Sequence, residues 1–172
     1  EYSLLYGFDV EEIPAQDIDE VSVSSTKIRT ALQNGELKTA NKYLGYRYLL
    51  NGIVVDGEKL GTKIGFPTAN INIEESYKLI PKIGVYIITA IIDGSSHNGM
   101  MNIGFNPTVR GKKQTIEAHL FDFRENLYGK KITIELLYFL RNEQKFLSVD
   151  ELIDQLKIDK ENAISFLAIN PS

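Results

Sequence analysis

From Tyr48 onward the chain reads as mainly β, an antiparallel barrel or sandwich that ends in a helix. Three observations carry this. Tyr48–Val55, Gly84–Ile92, His97–Ile103, Thr115–Phe121 and Lys131–Leu140 are short runs rich in β-branched and aromatic residues, the side chains that suit a pleated, half-buried surface. Turn signals such as Asp93-Gly94 and Tyr128-Gly129 separate them, a spacing typical of closed or stacked antiparallel sheets. After the last run, Ser148 and Glu151 stand at capping-box spacing, and Leu147 is placed to staple onto Leu152. Val149, Leu152, Ile153 and Leu156 then offer an apolar helical face.

The elements follow in order. Tyr2–Phe8 reads as a buried strand with no neighbouring strand to pair with. Ser25 is an N-cap candidate for a short helix that Asn34-Gly35 ends, and a second helix over Leu37–Leu44 stops at Gly45. A strand and two small helices cannot bury a core of their own. Residues 1–46 are therefore expected to be the end of a larger domain, and residues 47–172 a domain in their own right. Beyond the five clear strands, Tyr77–Pro81 is a candidate sixth, confined to an edge because Pro81 donates no ladder hydrogen bond.

Composition narrows the function. The 172 residues are 43% hydrophobic and 24% charged, in the range of a globular protein. No apolar run approaches the ~20 residues that cross a bilayer. With no cysteine there is no disulfide, thiolate nucleophile or zinc-thiolate site. A net charge of −4 and a pI near 5.3 argue against a nucleic-acid surface. The expectation is a cytoplasmic monomer acting on small molecules, with neither nucleic acid nor membrane as a partner.

The most informative stretch runs from Gly52 to Asn70, where an apolar strand enters a loop carrying Gly57, Gly61 and Gly65 and closes on Gly65-Phe-Pro-Thr-Ala-Asn70. Glycines let backbone amides approach a ligand closely, and clustered amides hold phosphate oxygens. Pro67 favours extended geometry around it, which would point Thr68 and Asn70 to one side and Ala69 to the other. A hydroxyl and an amide oxygen beside a phosphate cradle are hard ligands of the kind Mg²⁺ accepts. The pattern is not a P-loop, since Gly61-Thr-Lys63 lacks the Gly-Lys-Ser/Thr ending. Taken alone, such a loop is more often a tight strand connection.

Three more clusters lie on the strands. Met101-Asn-Ile-Gly-Phe-Asn-Pro107 leads into the basic loop Arg110–Lys113 and by itself is explained as a hairpin loop. In Thr115-Ile-Glu-Ala-His-Leu-Phe-Asp122, alternation puts Glu117, His119 and Phe121 on one face and Ile116, Ala118 and Leu120 on the other. Leu140-Arg-Asn-Glu-Gln-Lys-Phe146 is a polar segment before the helix, by itself a charged linker.

In this order the pieces closely resemble the riboflavin kinase family: the glycine loop, Gly65–Asn70, Met101–Pro107, Glu117-Ala-His-Leu-Phe-Asp-Phe123, Leu127-Tyr-Gly129 and Leu140–Phe146 followed by a helix. The resemblance covers roughly residues 47 to 160. Val23-Ser-Ser-Thr-Lys-Ile-Arg29 is similar to a motif near the end of the FMN adenylyltransferase module of bacterial bifunctional riboflavin kinase/FAD synthetases, in which the kinase lies C-terminal. That module also uses a His-x-Gly-His type motif. His97 and His119, the two histidines here, belong to none, so adenylyl transfer to make FAD is not expected of this chain.

The resemblance implies a six-stranded antiparallel Greek-key barrel with a C-terminal helix, preceded by a short α/β remnant. It implies phosphoryl transfer from ATP to the ribityl 5′-hydroxyl of riboflavin, giving FMN and ADP, in a module normally fused to an adenylyltransferase. Gly57, Gly61, Lys63, Gly65, Phe66, Pro67, Thr68 and Asn70 would bind ATP, with Thr68 and Asn70 also on Mg²⁺. Glu117 would be the catalytic base, a role not given to His119. Asn102, Gly104 and Asn106 would meet the flavin under a flap that includes Arg110–Lys113, as would Arg141 and Glu143. Two other readings are a barrel that binds flavin or nucleotide without turnover and an oligonucleotide-binding barrel. The pairing of Thr68 and Asn70 with Glu117 argues against the first, and the acidic pI against the second.

Overall fold

The computed structural model describes residues 17–18, 21–57, 60–108 and 111–170. Two short antiparallel strands, β1 (Asp17–Ile18) and β2 (Val21–Ser22), precede a helical hairpin. The strand expected over Tyr2–Phe8 lies outside the described residues. In α1 (Ser25–Asn34) the N-cap is Ser24 rather than Ser25. Ser24 holds the extended backbone a cap requires, and its hydroxyl accepts the Lys27 N–H at 3.3 Å. Gly35 ends the helix at a φ of 80°, and α2 (Leu37–Leu44) stops at Gly45 as expected.

Six strands then close a barrel in the order β3-β4-β7-β6-β5-β8, every neighbouring pair antiparallel. They are β3 (Leu49–Val55), β4 (Ala69–Asn72), β5 (Gly84–Ile92), β6 (Ser95–Thr108), β7 (Gly111–Leu120) and β8 (Lys131–Arg141). The connections from β4 to β5 and from β7 to β8 join strands that are not neighbours, the Greek-key arrangement. The sixth strand is β4, not Tyr77–Pro81, which forms a turn and irregular chain with Tyr77 85% exposed. Ala69-Asn-Ile-Asn72 has only one β-branched residue, yet it sits where the chain leaves Pro67 extended and finds partners on both sides.

Asp93 and Gly94 both take positive φ, the two-residue turn that matches strand twist. β5 stops at the Gly84–Ile103 pair, while β6 and β7 continue pairing out to Thr108 and Gly111. A two-stranded ribbon therefore extends past the barrel. It takes Gly111–Lys113 into a strand where a loop was expected, and Arg110 lies outside the described residues.

Leu50, Tyr86, Ile88, Ile103, Ile134 and Leu136 fill the barrel, and Ala31, Leu32, Leu37 and Ala40 of the helical hairpin belong to the same buried cluster. Asn41 ties the hairpin down, donating to the Leu136 carbonyl at 3.0 Å and accepting the Tyr48 N–H at 2.8 Å. The final helix, α4 (Val149–Ile169), is capped as its spacing indicates. Ser148 accepts the Glu151 N–H at 3.1 Å, and the Glu151 carboxylate accepts the Leu147 N–H at 2.9 Å. The staple does not form, since Leu147 is 95% exposed, and Val149 is exposed too. Leu152, Leu156, Asp159, Ala163 and Phe166 instead share the i, i+4, i+7 stripe that is less exposed. Phe166 stacks on Tyr138 of β8 at 4.9 Å.

Candidate active site

Strand register gathers the residues singled out above. Asn70 on β4 opposes Glu117 on β7, Glu117 opposes Asn102 on β6, Asn102 opposes Val85 on β5, and Val85 opposes Arg141 on β8. Directly opposed side chains share a face of the sheet, so these five form one row around the barrel. It is the face opposite to buried Tyr86, Met101 and Ala118. A bulge brings Arg141 into the row. Tyr86 opposes Phe139, so unbroken register would set Leu140 against Val85, and the one-residue shift puts Arg141 there instead.

Thr68, just before β4, donates its hydroxyl to Glu117 Oε2 at 3.3 Å. Two cavities meet at this point, and Thr68 lines both. One, of ≈ 450 Å³, is lined by the polar Asp56, Asn70, Arg124 and Asn126 and by the apolar Val54, Val55, Leu120, Phe123 and Leu127, along with Gly57 and Pro67. The other, of ≈ 360 Å³, runs between the barrel and α4. Ile64, Phe66, Met100, Phe146, Leu152 and Leu156 form its apolar walls, and Asn102, Asn106, Glu117 and Glu143 are polar points within it.

The glycine loop contains a short helical turn, α3 (Leu60–Lys63), and is closed by the Phe66 N–H donating to the Gly61 carbonyl at 2.8 Å. At Gly61 an added Cβ would stand 2.2 Å from the Phe66 carbonyl oxygen, and at Gly57 2.1 Å from Asn70 Nδ2. Neither position has room for a side chain, so the loop backbone lies directly against Asn70 and Thr68. Of the expected nucleotide residues, Lys63 and Gly65 line neither cavity. Gly104 lines neither as well, but a Cβ there would meet Glu143 Oε1 at 2.4 Å and Asn102 Nδ2 at 2.9 Å.

The Thr68 hydroxyl and Asn70 amide oxygen, with the Glu117 carboxylate adjacent, form the oxygen-only donor set that suits Mg²⁺. Among the described residues no three His, Asp or Glu gather as an all-protein metal cage. An ion here would take its other ligands from phosphate and water.

His119, only 8% exposed, donates from Nδ1 to the Pro67 carbonyl at 2.8 Å, and its ring packs on Phe66 and Phe121. Burial holds its pKa below the ordinary 6.5; the Pro67 bond and Asp122 oppose the shift, and Lys160 adds to it. Arg141 lines the second cavity, with Nε and Nη2 committed to Asp159 of α4 at 2.7–3.0 Å. The sequence reading did not single out Leu152, Leu156, Met100, Arg124 or Asn126 as site residues. The first two were legible only as a helix face, and the others carry no pattern of their own.

A family profile described as riboflavin kinase (flavokinase) matches residues 44–167. The bifunctional riboflavin kinase/FMN adenylyltransferase of Bacillus subtilis is 43% identical over 162 residues, covering 92% of this chain and 50% of that protein. Its namesake in Escherichia coli is 39% identical over 165 residues, covering 95% and 52%. The chain thus spans about half the length of the curated relatives it matches. Among solved structures, a Streptococcus pneumoniae protein described as a macrolide-efflux protein superposes with a TM-score of 0.82 at 35% identity, over 93% of this chain and 51% of that one. Among the described residues no helix is long and apolar enough to cross a membrane. The profile spans the whole barrel and nearly all of α4, and the curated relatives carry the same name, so the chain belongs to the riboflavin kinase family.

Proposed function

We propose that this chain transfers the γ-phosphoryl group of ATP to the ribityl 5′-hydroxyl of riboflavin, releasing FMN and ADP. The observation that carries the reading is the meeting of two cavities at Thr68, with Glu117 hydrogen-bonded to it. ATP takes the cavity bounded by Gly57 and Asn70, its phosphates against the glycine loop and Asn70. The flavin ring takes the cavity between barrel and helix, against its apolar walls, with Asn102, Asn106 and Glu143 meeting its polar edge and ribityl chain. Phosphoryl transfer asks mainly for positioning and for charge neutralisation on the phosphate oxygens.

Glu117 accepts the proton of the 5′-hydroxyl as its oxygen bonds to the γ-phosphorus and the bond to ADP breaks. Thr68 orients that carboxylate and, with Asn70, is suited to hold Mg²⁺. The ion, when bound, offsets negative charge on the phosphate oxygens. Lys63, exposed beside the loop, adds positive charge nearby, and Gly65 gives the loop its turn. The ribbon formed by β6 and β7 covers the flavin side. The proposal is confined to the kinase reaction, although the relatives' names also include an adenylyltransferase. The protein acts in the cytoplasm as a monomer, an oligomeric state that sedimentation would test.

Glu117→Gln is the direct test. FMN formation, resolved by chromatography, should fall by about 10²–10⁴-fold, while ATP binding is retained. Full activity in that variant would remove Glu117 as the base. Riboflavin and ATP bound by the unaltered chain without turnover would mean a binding barrel instead.

A further inference from the structure

The ion pair between β8 and α4 does more than join two elements. Asp159 is 1% exposed, and its carboxylate accepts from Arg141 Nε and Nη2 and from Gln155 Nε2 at 2.9 Å. Arg141 Nη1 donates to the Asn142 carbonyl at 3.0 Å. The fork of the guanidinium thus grips one carboxylate edge-on, a geometry that fixes distance and angle together. Along α4, Leu152 and Leu156 lie two turns and one turn before Asp159 and form the helix wall of the cavity between barrel and helix. On the barrel side, Arg141 sits in the cavity-facing row because of the bulge. Between the Phe166–Tyr138 stack and the exposed start of the helix, the Arg141–Asp159 pair is a buried polar contact joining α4 to β8.

We infer that Arg141 is a positioning residue: clamped by Asp159 and Gln155, it sets the width of the apolar cavity between α4 and the barrel. This rests on the reading above only in taking riboflavin as the occupant. The guanidinium need not touch the flavin, because its effect is exerted through Leu152 and Leu156.

The test compares Arg141→Ala and Arg141→Lys with Asp159→Asn and Gln155→Ala in the full chain, with Lys157→Ala on the exposed side of α4 as control. Riboflavin affinity is read from flavin fluorescence without ATP, KM and kcat from turnover, and helix anchoring from amide hydrogen exchange. Arg141→Ala and Asp159→Asn should each weaken riboflavin binding by roughly fivefold to tenfold and combine non-additively. The KM for ATP should stay within about twofold, and α4 amides should exchange faster while barrel strands do not. Arg141→Lys should recover part of the affinity, and Gln155→Ala should show the same signature more weakly in a chain that remains folded.

Weakened flavin binding in Arg141→Ala with Asp159→Asn and Gln155→Ala unchanged would overturn the inference, since Arg141 would then act by direct contact. Unchanged exchange in α4 across the variants would overturn it as well. A chain that binds no riboflavin would defeat the proposed function, while the exchange measurement would still read the clamp.

Discussion

Removing the imidazole of His119 tests how the turn at Pro67 is held. Its Nδ1–H bond to the Pro67 carbonyl, at 2.8 Å, spans from β7 to the residue before Thr68. A hydrogen bond of this kind contributes about 1 kcal/mol net. The ring contacts with Phe66 at 5.3 Å and Phe121 at 5.9 Å are of a type worth about 0.5–1.5 kcal/mol each. His119→Ala should therefore lower stability by about 2–4 kcal/mol, roughly 4–16 °C in melting temperature for a chain of this size. Because Pro67 is released, turnover should fall as well, with the larger change in the KM for ATP.

The pH dependence gives a second readout. The histidine is harder to protonate in the folded chain than at its ordinary 6.5. Its contribution to stability is therefore complete above 6.5 and is lost as pH falls through the lowered folded value. Urea unfolding at a series of pH values between 8 and 5 should show wild-type stability declining more steeply towards acid than that of His119→Ala. Parallel pH profiles, or a melting temperature unchanged by the substitution, would refute the reasoning.

Two further outcomes can be measured. Gly57→Ala places a Cβ 2.1 Å from Asn70 Nδ2, so the amide must swing away; the KM for ATP should rise by roughly tenfold with little change in melting temperature. At the alkaline end, burial pushes the Tyr48 hydroxyl up to about 12, with Tyr46 adding to the shift, and raises Tyr86 further still. Raised phenol values mean stability complete below the ordinary 10 and lost as pH climbs above it. Phenolate absorbance should show these two ionising only as the chain unfolds.

Local chemistry by itself determined a good deal of this protein. Glycine at the end of each short helix, the Ser148–Glu151 cap and the Asp93-Gly94 turn each act over a few residues, and each is found as the spacing indicates. Alternation in Thr115–Leu120 likewise separated the core residues Ile116, Ala118 and Leu120 from Glu117 and His119. The ordered motifs pointed to the family, and they include the loop, the threonine and the glutamate that meet at the two cavities.

What tertiary structure decided depends on partners far apart in the chain. Ala69–Asn72 is too short and too poor in β-branched residues to announce a strand, and it becomes one because β3 and β7 flank it. Arg141 joins the row of site residues through a one-residue bulge, and no local pattern in β8 encodes which of two adjacent residues turns to that face. The partner of Arg141 lies eighteen positions along on a helix whose apolar stripe predicted only that it would pack. Burial of Asp159 at that contact, rather than any motif, is what turns a charged pair into the clamp on a cavity wall.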